Sequence, residues 1–311
     1  MSIALDNEVD AAAARAAAVV RPSIWVRLIR QPSVAIGGAI MAVMILIGLL
    51  APLLGTVSPT QIDPTTRNRK PGMEITVKAD DGSTFKRTVI MGTDSLGRDV
   101  YSRVIYGARV SLIVGVTVAT ISIVVGVFIG LVSGYIRWLD GIVMRIMDGL
   151  MAIPGILLAI GLVSLFRAGL GTVIFAIVVP EIPRVVRLVR SVVLSIREEP
   201  YVEAAVSVGT PLPLILWRHI LPNTVAPVIV QGTFICASAI LAEATLSFLG
   251  IGIPTDTPTW GNIMAEGRQF FRVFPHNIWC PAIFLAVTVL AVNMLGDGLR
   301  DTLDPKMSKR V

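Results

Sequence analysis

The sequence predicts an all-α polytopic membrane protein with six transmembrane helices, both termini in the cytoplasm and a small extracytoplasmic insert after the first span. Three observations carry that prediction. Of 311 residues, 54% are hydrophobic and 15% charged, with a mean hydropathy of +0.77; a soluble chain carries about a quarter charged residues. Apolar runs recur that reach the roughly 20 residues a helix needs to cross a bilayer. Polar, arginine-bearing segments separate these runs. The net charge of +6 then bears on orientation and lipid contact. No Lys/Arg run interleaved with aromatics suggests nucleic-acid binding.

Residues 1–32 form a cytoplasmic N-terminal segment, polar and then Ala-rich, ending with Arg21, Arg27 and Arg30. The first span covers 33–54, too long for the apolar region of a cleaved signal peptide, and reads as a retained anchor. Residues 55–110 are the outer insert. Within 73–91, Ile75 and Val77, then Asp81-Gly82, then Phe85 and Val89 give the alternation and turn of a β-hairpin. Asp99 and Arg103 stand at i and i+4, so 100–110 is expected to be an interfacial helix with that pair on one face. Residues 111–299 form a five-helix core with spans at 111–135, 142–166, 172–195, 224–249 and 278–299. Pro154-Gly155 interrupts the third span, and Pro180 and Pro183 lie in the fourth. Gly126, Gly130 and Gly134 allow close helix approach, read as packing within the chain. The tail is 300–311.

Six spans with the N-terminus inside place 136–141, 196–223 and the tail in the cytoplasm. Arg137, Arg145, Arg187, Arg190, Arg197, Arg218, Lys306, Lys309 and Arg310 agree with that orientation. The outer insert carries Arg and Lys as well, but long loops follow the charge rule poorly. Cys236 and Cys280 fall at depths differing by about 15 Å, beyond the roughly 7 Å that a disulfide spans, and read as buried apolar residues.

The most informative stretch is 198–223. Pro200 suits a first helical position, and Glu198, Glu199 and Glu203 put negative charge where the helix dipole favours it. Gly209 ends that helix in the left-handed conformation, and Thr210-Pro211 restarts one as cap and first residue. Arg218 and His219 lie at the second helix's end, and Leu221-Pro222 closes it. Glu203-Ala204-Ala205, Gly209 and Leu221-Pro222 resemble the EAA loop of ABC importer permeases, and Arg218 to Asn223 resemble its variant in peptide importers. The 92–112 stretch, GTDSLGRDVYSRVIYGARVSL, resembles the approach to the second span in the dipeptide/oligopeptide/nickel permeases. Pro258 to Asn262, Glu266 to Arg268 and Gly296 to Pro305 resemble the same family.

That resemblance covers about 31–306 and implies a type I ABC importer permease, the C-type subunit, in a bacterial inner membrane. It implies a homologous second permease, two ATP-binding subunits that hold ATP and Mg, and an extracytoplasmic substrate-binding protein. The 198–223 loop would then be the coupling segment, carried by Glu203, Ala204, Ala205, Gly209, Leu221 and Pro222. Peptides or peptide-like solutes are the implied cargo, with glutathione, opines and nickel chelates as alternatives. No cofactor or metal is expected in this chain. It carries no GxxxxGK[ST] phosphate loop, and its histidines, His219 and His276, fall on opposite faces, so no catalytic residue is assigned. An ion-coupled secondary transporter is the rival class; its broken helices are hinted at only by Pro154-Gly155.

Ionisable residues within spans are the default functional candidates. Asp148 is expected to pair with one of Arg184, Arg187 and Arg190, tying the third span to the fourth. Gln231, Thr233, Ser238 and Glu243 are the pathway candidates of the fifth span, with Glu243 also read as a helix cap or a partner of Arg268 or Arg272.

Overall fold

The computed structural model describes residues 24–78 and 84–303. The expected turn Asp81-Gly82, residues 1–23 and the basic tail at 304–311 lie outside the described residues.

Helix α1 (Ile24–Arg30) leads to α2 (Pro32–Leu49), which starts on a proline whose missing N–H costs nothing there. Strands β1 (Glu74–Lys78) and β2 (Thr84–Thr88) pair antiparallel with Thr76 opposite Lys86, as the alternating pattern requires. Helix α3 spans Val100–Tyr135 and α4 Arg137–Ala152; α5 (Gly155–Leu165) follows at 90° to α4. Then come α6 (Leu170–Ile196), α7 (Pro200–Ser207) and α8 (Leu212–Ile215). A π turn at Leu216–Ile220 joins α8 to α9 (Leu221–Phe248), and α10 (Trp260–Gly267) and α11 (His276–Leu303) complete the chain. Among the described residues, four helical stretches are long and apolar enough to cross a membrane: α2, α3, the run Leu212–Phe248 and α11. The bent pair α4 and α5 makes up to five. Helix α6 has the length but carries Glu181, Arg184, Arg187 and Arg190.

Two sequence expectations change here. Residues 100–110 are no separate interfacial helix: α3 runs unbroken, and Val100, Val104, Ile105 and Ala108 are buried. The reason is α10, whose Trp260 and Ile263 cover Val100, Val104 and Ala108 with Ile240 of α9. Pro154 does more than interrupt a straight span. Its fixed backbone angle and absent donor let the chain turn through a right angle.

The core sits where α3, α6 and α9 meet, around Val114, Val118, Val185, Val189, Ile235 and Leu246. The stripe Gly126, Gly130, Gly134 of α3 receives Val185, Val189 and Val193 of α6. A Cβ at Gly130 would lie 2.7 Å from the Val189 Cβ. The small residues therefore serve packing within this chain. Outward-facing side chains such as Phe128, Val124, Ile113 and Leu290 are exposed and apolar, as a lipid-facing surface requires.

Candidate functional site

The 198–223 loop is built from local rules. Glu199 precedes Pro200 at the start of α7, and Glu203 lies in its first turn. Gly209 takes φ +83°, and a Cβ placed there would meet nothing within 4 Å, so the constraint is backbone conformation and not space. Its N–H donates to Val206 O at 2.9 Å and the Thr210 N–H to Ala205 O at 3.1 Å, which is a Schellman ending. Ala205 thus supplies a capping carbonyl, while Glu203 and Ala204 remain exposed. Val202 is buried in the core with Ile215 and Ile220, anchoring both helices. Across the glycine, the Tyr201 and His219 rings lie 6.3 Å apart, and the Asn223 amide donates to Tyr201 Oη at 3.3 Å. Outward, Val206 and Val208 are exposed at 49% and 87%, an apolar tip at the end of a short helix whose one charge is Glu203.

The second helix starts one residue later than the sequence reading places it, with Pro211 as cap and Leu212 as first residue. Leu221-Pro222 does not close it. The π turn carries the chain directly into α9, with Pro222 in the first turn of that helix. The loop is therefore continuous with the long helix that follows.

Of the charged candidates, Arg187 donates to Asp148 at 2.6 Å, across α6 and α4. Arg184 and Arg190 go elsewhere. Arg184 pairs with Glu181 at 3.1 Å, and Arg190 makes a two-nitrogen contact with Asp140 of α4. Three ion pairs thus line one side of α6, two of them to α4. The sequence reading missed both Glu181 and Asp140. The signal for Glu181 was an acid one turn before Arg184 in an apolar run.

The structure does not bring the four pathway candidates together. Thr233 donates to the carbonyl of Val230 and packs against Gly296 of α11. Glu243 is fully buried, accepts from Ser247 Oγ at 2.8 Å, and meets neither Arg268 nor Arg272; Arg268 instead lies over the Phe248 ring. Gln231 lines a cleft of 680 Å³ with Asn223 and Arg300. Ser238 lines a different one of 400 Å³ with Pro154, Glu181 and Arg184.

A further charged cluster lies at the opposite end from the loop. Arg98 and Arg103 are 3% and 1% exposed. Arg98 donates to Asp94 at 2.7 Å and also pairs with Glu266; Arg103 reaches Glu266 at 3.4 Å. The expected Asp99–Arg103 pair does not form. Asp99 caps α3, accepting from the Ser102 N–H at 3.0 Å, and faces Arg87 at 3.5 Å. Trp260 Nε1 donates to the Val104 carbonyl at 3.0 Å, and the Asn262 amide gathers the carbonyls of Ile253, Pro254 and Thr257. Residues 92–104 and 253–267 are thereby locked together.

Long apolar helices and a punctuated loop fused to one of them describe an integral membrane protein. The chain belongs to the family of binding-protein-dependent transport system inner membrane components, matched over residues 110–309; residues 23–71 match the N-terminal transmembrane domain of oligopeptide transport permease C. It is 52% identical over 281 residues to a probable peptide ABC transporter permease protein, y4tQ, of Sinorhizobium fredii, covering 90% of this chain and 91% of that one. The dipeptide transport system permease protein DppC of Alkalihalophilus pseudofirmus is 40% identical over 273 residues, 88% of this chain and 85% of that one. The glutathione transport system permease protein GsiD of Pectobacterium atrosepticum is 42% identical over 218 residues, 70% and 72% of the two chains.

Proposed function

We propose that this chain is the transmembrane permease subunit of an ATP-driven importer for peptides or peptide-like solutes, with the type I importer fold. It spans the bacterial inner membrane six times, through α2, α3, the bent pair α4 and α5, α6, α9 and α11, with both termini in the cytoplasm. A homologous second permease completes the pathway. Two ATP-binding subunits hold ATP and Mg and hydrolyse it, and an extracytoplasmic binding protein delivers the cargo.

The observation that carries this reading is the 198–223 loop. A short helix with an exposed acidic and apolar tip stands on a glycine ending, is braced by Tyr201, His219 and Asn223, and passes through the π turn into α9. A partner pressing on α7 would displace α9 as well, because Tyr201 against His219 and Asn223, and Val202 packed with Ile215 and Ile220, bridge the turn at Gly209. The ion pairs from α6 to Asp140 and Asp148 would carry the displacement to α4.

The test is purification from the native membrane in mild detergent, comparing wild type with Gly209→Pro. Proline cannot adopt a φ of +83° and lacks the N–H given to Val206. The expected outcome is a pair of ATP-binding subunits retained by the wild type and lost from the variant. A wild-type chain that purifies alone and transports on an ion gradient after reconstitution overturns the proposal.

A further inference from the structure

The 400 Å³ cleft at the bend between α4 and α5 brings an ion pair and a break in helical backbone into an otherwise apolar wall. Its walls are the last turn of α4 (Leu150, Met151), the bend at Pro154, the first turn of α5, the stripe Ile177, Pro180, Glu181, Arg184 of α6, and Ser238 of α9. The last carbonyls of α4 and the N–H groups of Gly155 and Ile156 lack helical partners, while the Leu157 and Leu158 N–H groups are taken by the Pro154 carbonyl, so the bend offers both acceptors and donors. Non-helical backbone at membrane depth persists only where protein buries it or water fills the space beside it. The same holds for an intramembrane ion pair.

The pair is asymmetric. The Glu181 side chain is 9% exposed and the Arg184 side chain 52%. The carboxylate is fixed in the wall; the guanidinium, on a long flexible stem, is free to swing. Ser238 makes no side-chain hydrogen bond among the described residues and lines the same space.

Resting on the importer reading above, we propose that this cleft is a transient station on the translocation path for the zwitterionic backbone of a peptide. The peptide's ammonium replaces Arg184 on Glu181, and the released guanidinium takes the peptide's carboxylate. Both charges stay paired throughout the exchange, so neither is stranded in a low-dielectric setting, where an unpaired charge is most costly. Passage needs this balance: a site that held its cargo by new, uncompensated charge would trap it. Glu181 is a specificity-determining residue on this account, selecting for a free amino terminus.

The experiment uses the whole importer, with its binding protein, in vesicles. A mixture of synthetic di- to tetrapeptides and its N-acetylated counterpart are supplied, and lumenal peptide is read by mass spectrometry against ATP hydrolysed. The expected result for Glu181→Gln is about tenfold or more less free-amino peptide delivered per ATP, as for loss of one charge-assisted hydrogen bond. Glu181→Asp retains most of the delivery, and the exchanged pair Glu181→Arg with Arg184→Glu does not restore it, although an ion pair is again present. Delivery per ATP equal to wild type in Glu181→Gln overturns the proposal.

If that variant fails to assemble, Ser238→Cys in a chain with Cys236 and Cys280 replaced by Ala gives a second reading. Both a cationic and an anionic thiosulfonate are expected to reach the thiol, and the peptide mixture to slow both. A thiol that neither reagent reaches in any nucleotide state overturns the proposal. A wild-type complex that hydrolyses ATP and delivers no peptide of either kind fails the importer reading instead, and is distinguished by that control.

Discussion

The two ends of this molecule are held by opposite means. At one, residues 92–104 are locked to 253–267 by buried charges: Arg98 and Arg103 are 3% and 1% exposed, and Asp94 and Glu266 take their hydrogen bonds. At the other, the 198–223 loop exposes Glu203, Val206 and Val208, has open space around Gly209, and touches the core through Val202, Ile215 and Ile220. The first is stabilised through desolvated pairs that tolerate no missing member. The second is shaped by backbone rules that need no neighbour. A protein that transmits motion can use both: a fixed frame against which something moves, and a tip left free for a partner.

The comparison breaks most sharply at Asp94. Asp94→Ala leaves Glu266 as the one carboxylate for two buried guanidiniums and removes the acceptor for the Leu96 and Arg98 N–H groups. It is expected to cost about 3–5 kcal/mol, read as a loss of thermal stability in detergent or of expression altogether. A variant that melts with the wild type would mean that water reaches the cluster. Gly130→Ala tests the frame's middle. The new Cβ meets the Val189 Cβ at 2.7 Å, and forcing α3 from α6 is expected to cost about 1–3 kcal/mol in the same melt. At the free end, Gly209→Ala suffers only the left-handed backbone, roughly 1–2 kcal/mol. That cost falls on local order, so hydrogen exchange at Ala205 to Thr210 should quicken while the global melt moves little. The smallest effect belongs to Asp148 and Arg187, whose side chains are 57% and 43% exposed. A double-mutant cycle on the isolated chain is expected to return about 1 kcal/mol or less, and more within the assembled complex if a second permease covers that face.

What the sequence made legible follows the same division. The loop can be read because its determinants are local: Pro200 opens a helix, Gly209 ends one, and both rules need only adjacent residues. The two paired strands follow from the alternation of Ile75, Val77 and Phe85 for the same reason. Errors arise where a local rule has two outcomes. Leu221-Pro222 reads as the stop of a helix, but proline in a first turn equally starts one, and the π turn makes it a start. Asp99 and Arg103 have the spacing to pair, yet the closer Ser102 N–H claims the carboxylate as a cap. The charge cluster is out of reach of any local rule, since Arg98 and Glu266 lie 168 residues apart. The right angle at Pro154 is likewise a property of what packs on each side. Proline permits a bend but does not set its angle.

The π turn between α8 and α9 has a geometric consequence. One widened turn takes up a residue that an ordinary helix would have to place elsewhere. It therefore sets the azimuth at which the preceding segment projects from the long helix. Each residue of an α-helix advances about 100° around its axis, but a π turn spreads one extra residue over nearly the same rotation. Deleting one residue from Leu216–Ile220 would let the turn tighten to ordinary α geometry and leave α7 pointing nearly as before. The same deletion inside α9 would turn everything that precedes it by about 100° around the helix axis. Length is therefore buffered within this turn and nowhere else along that helix.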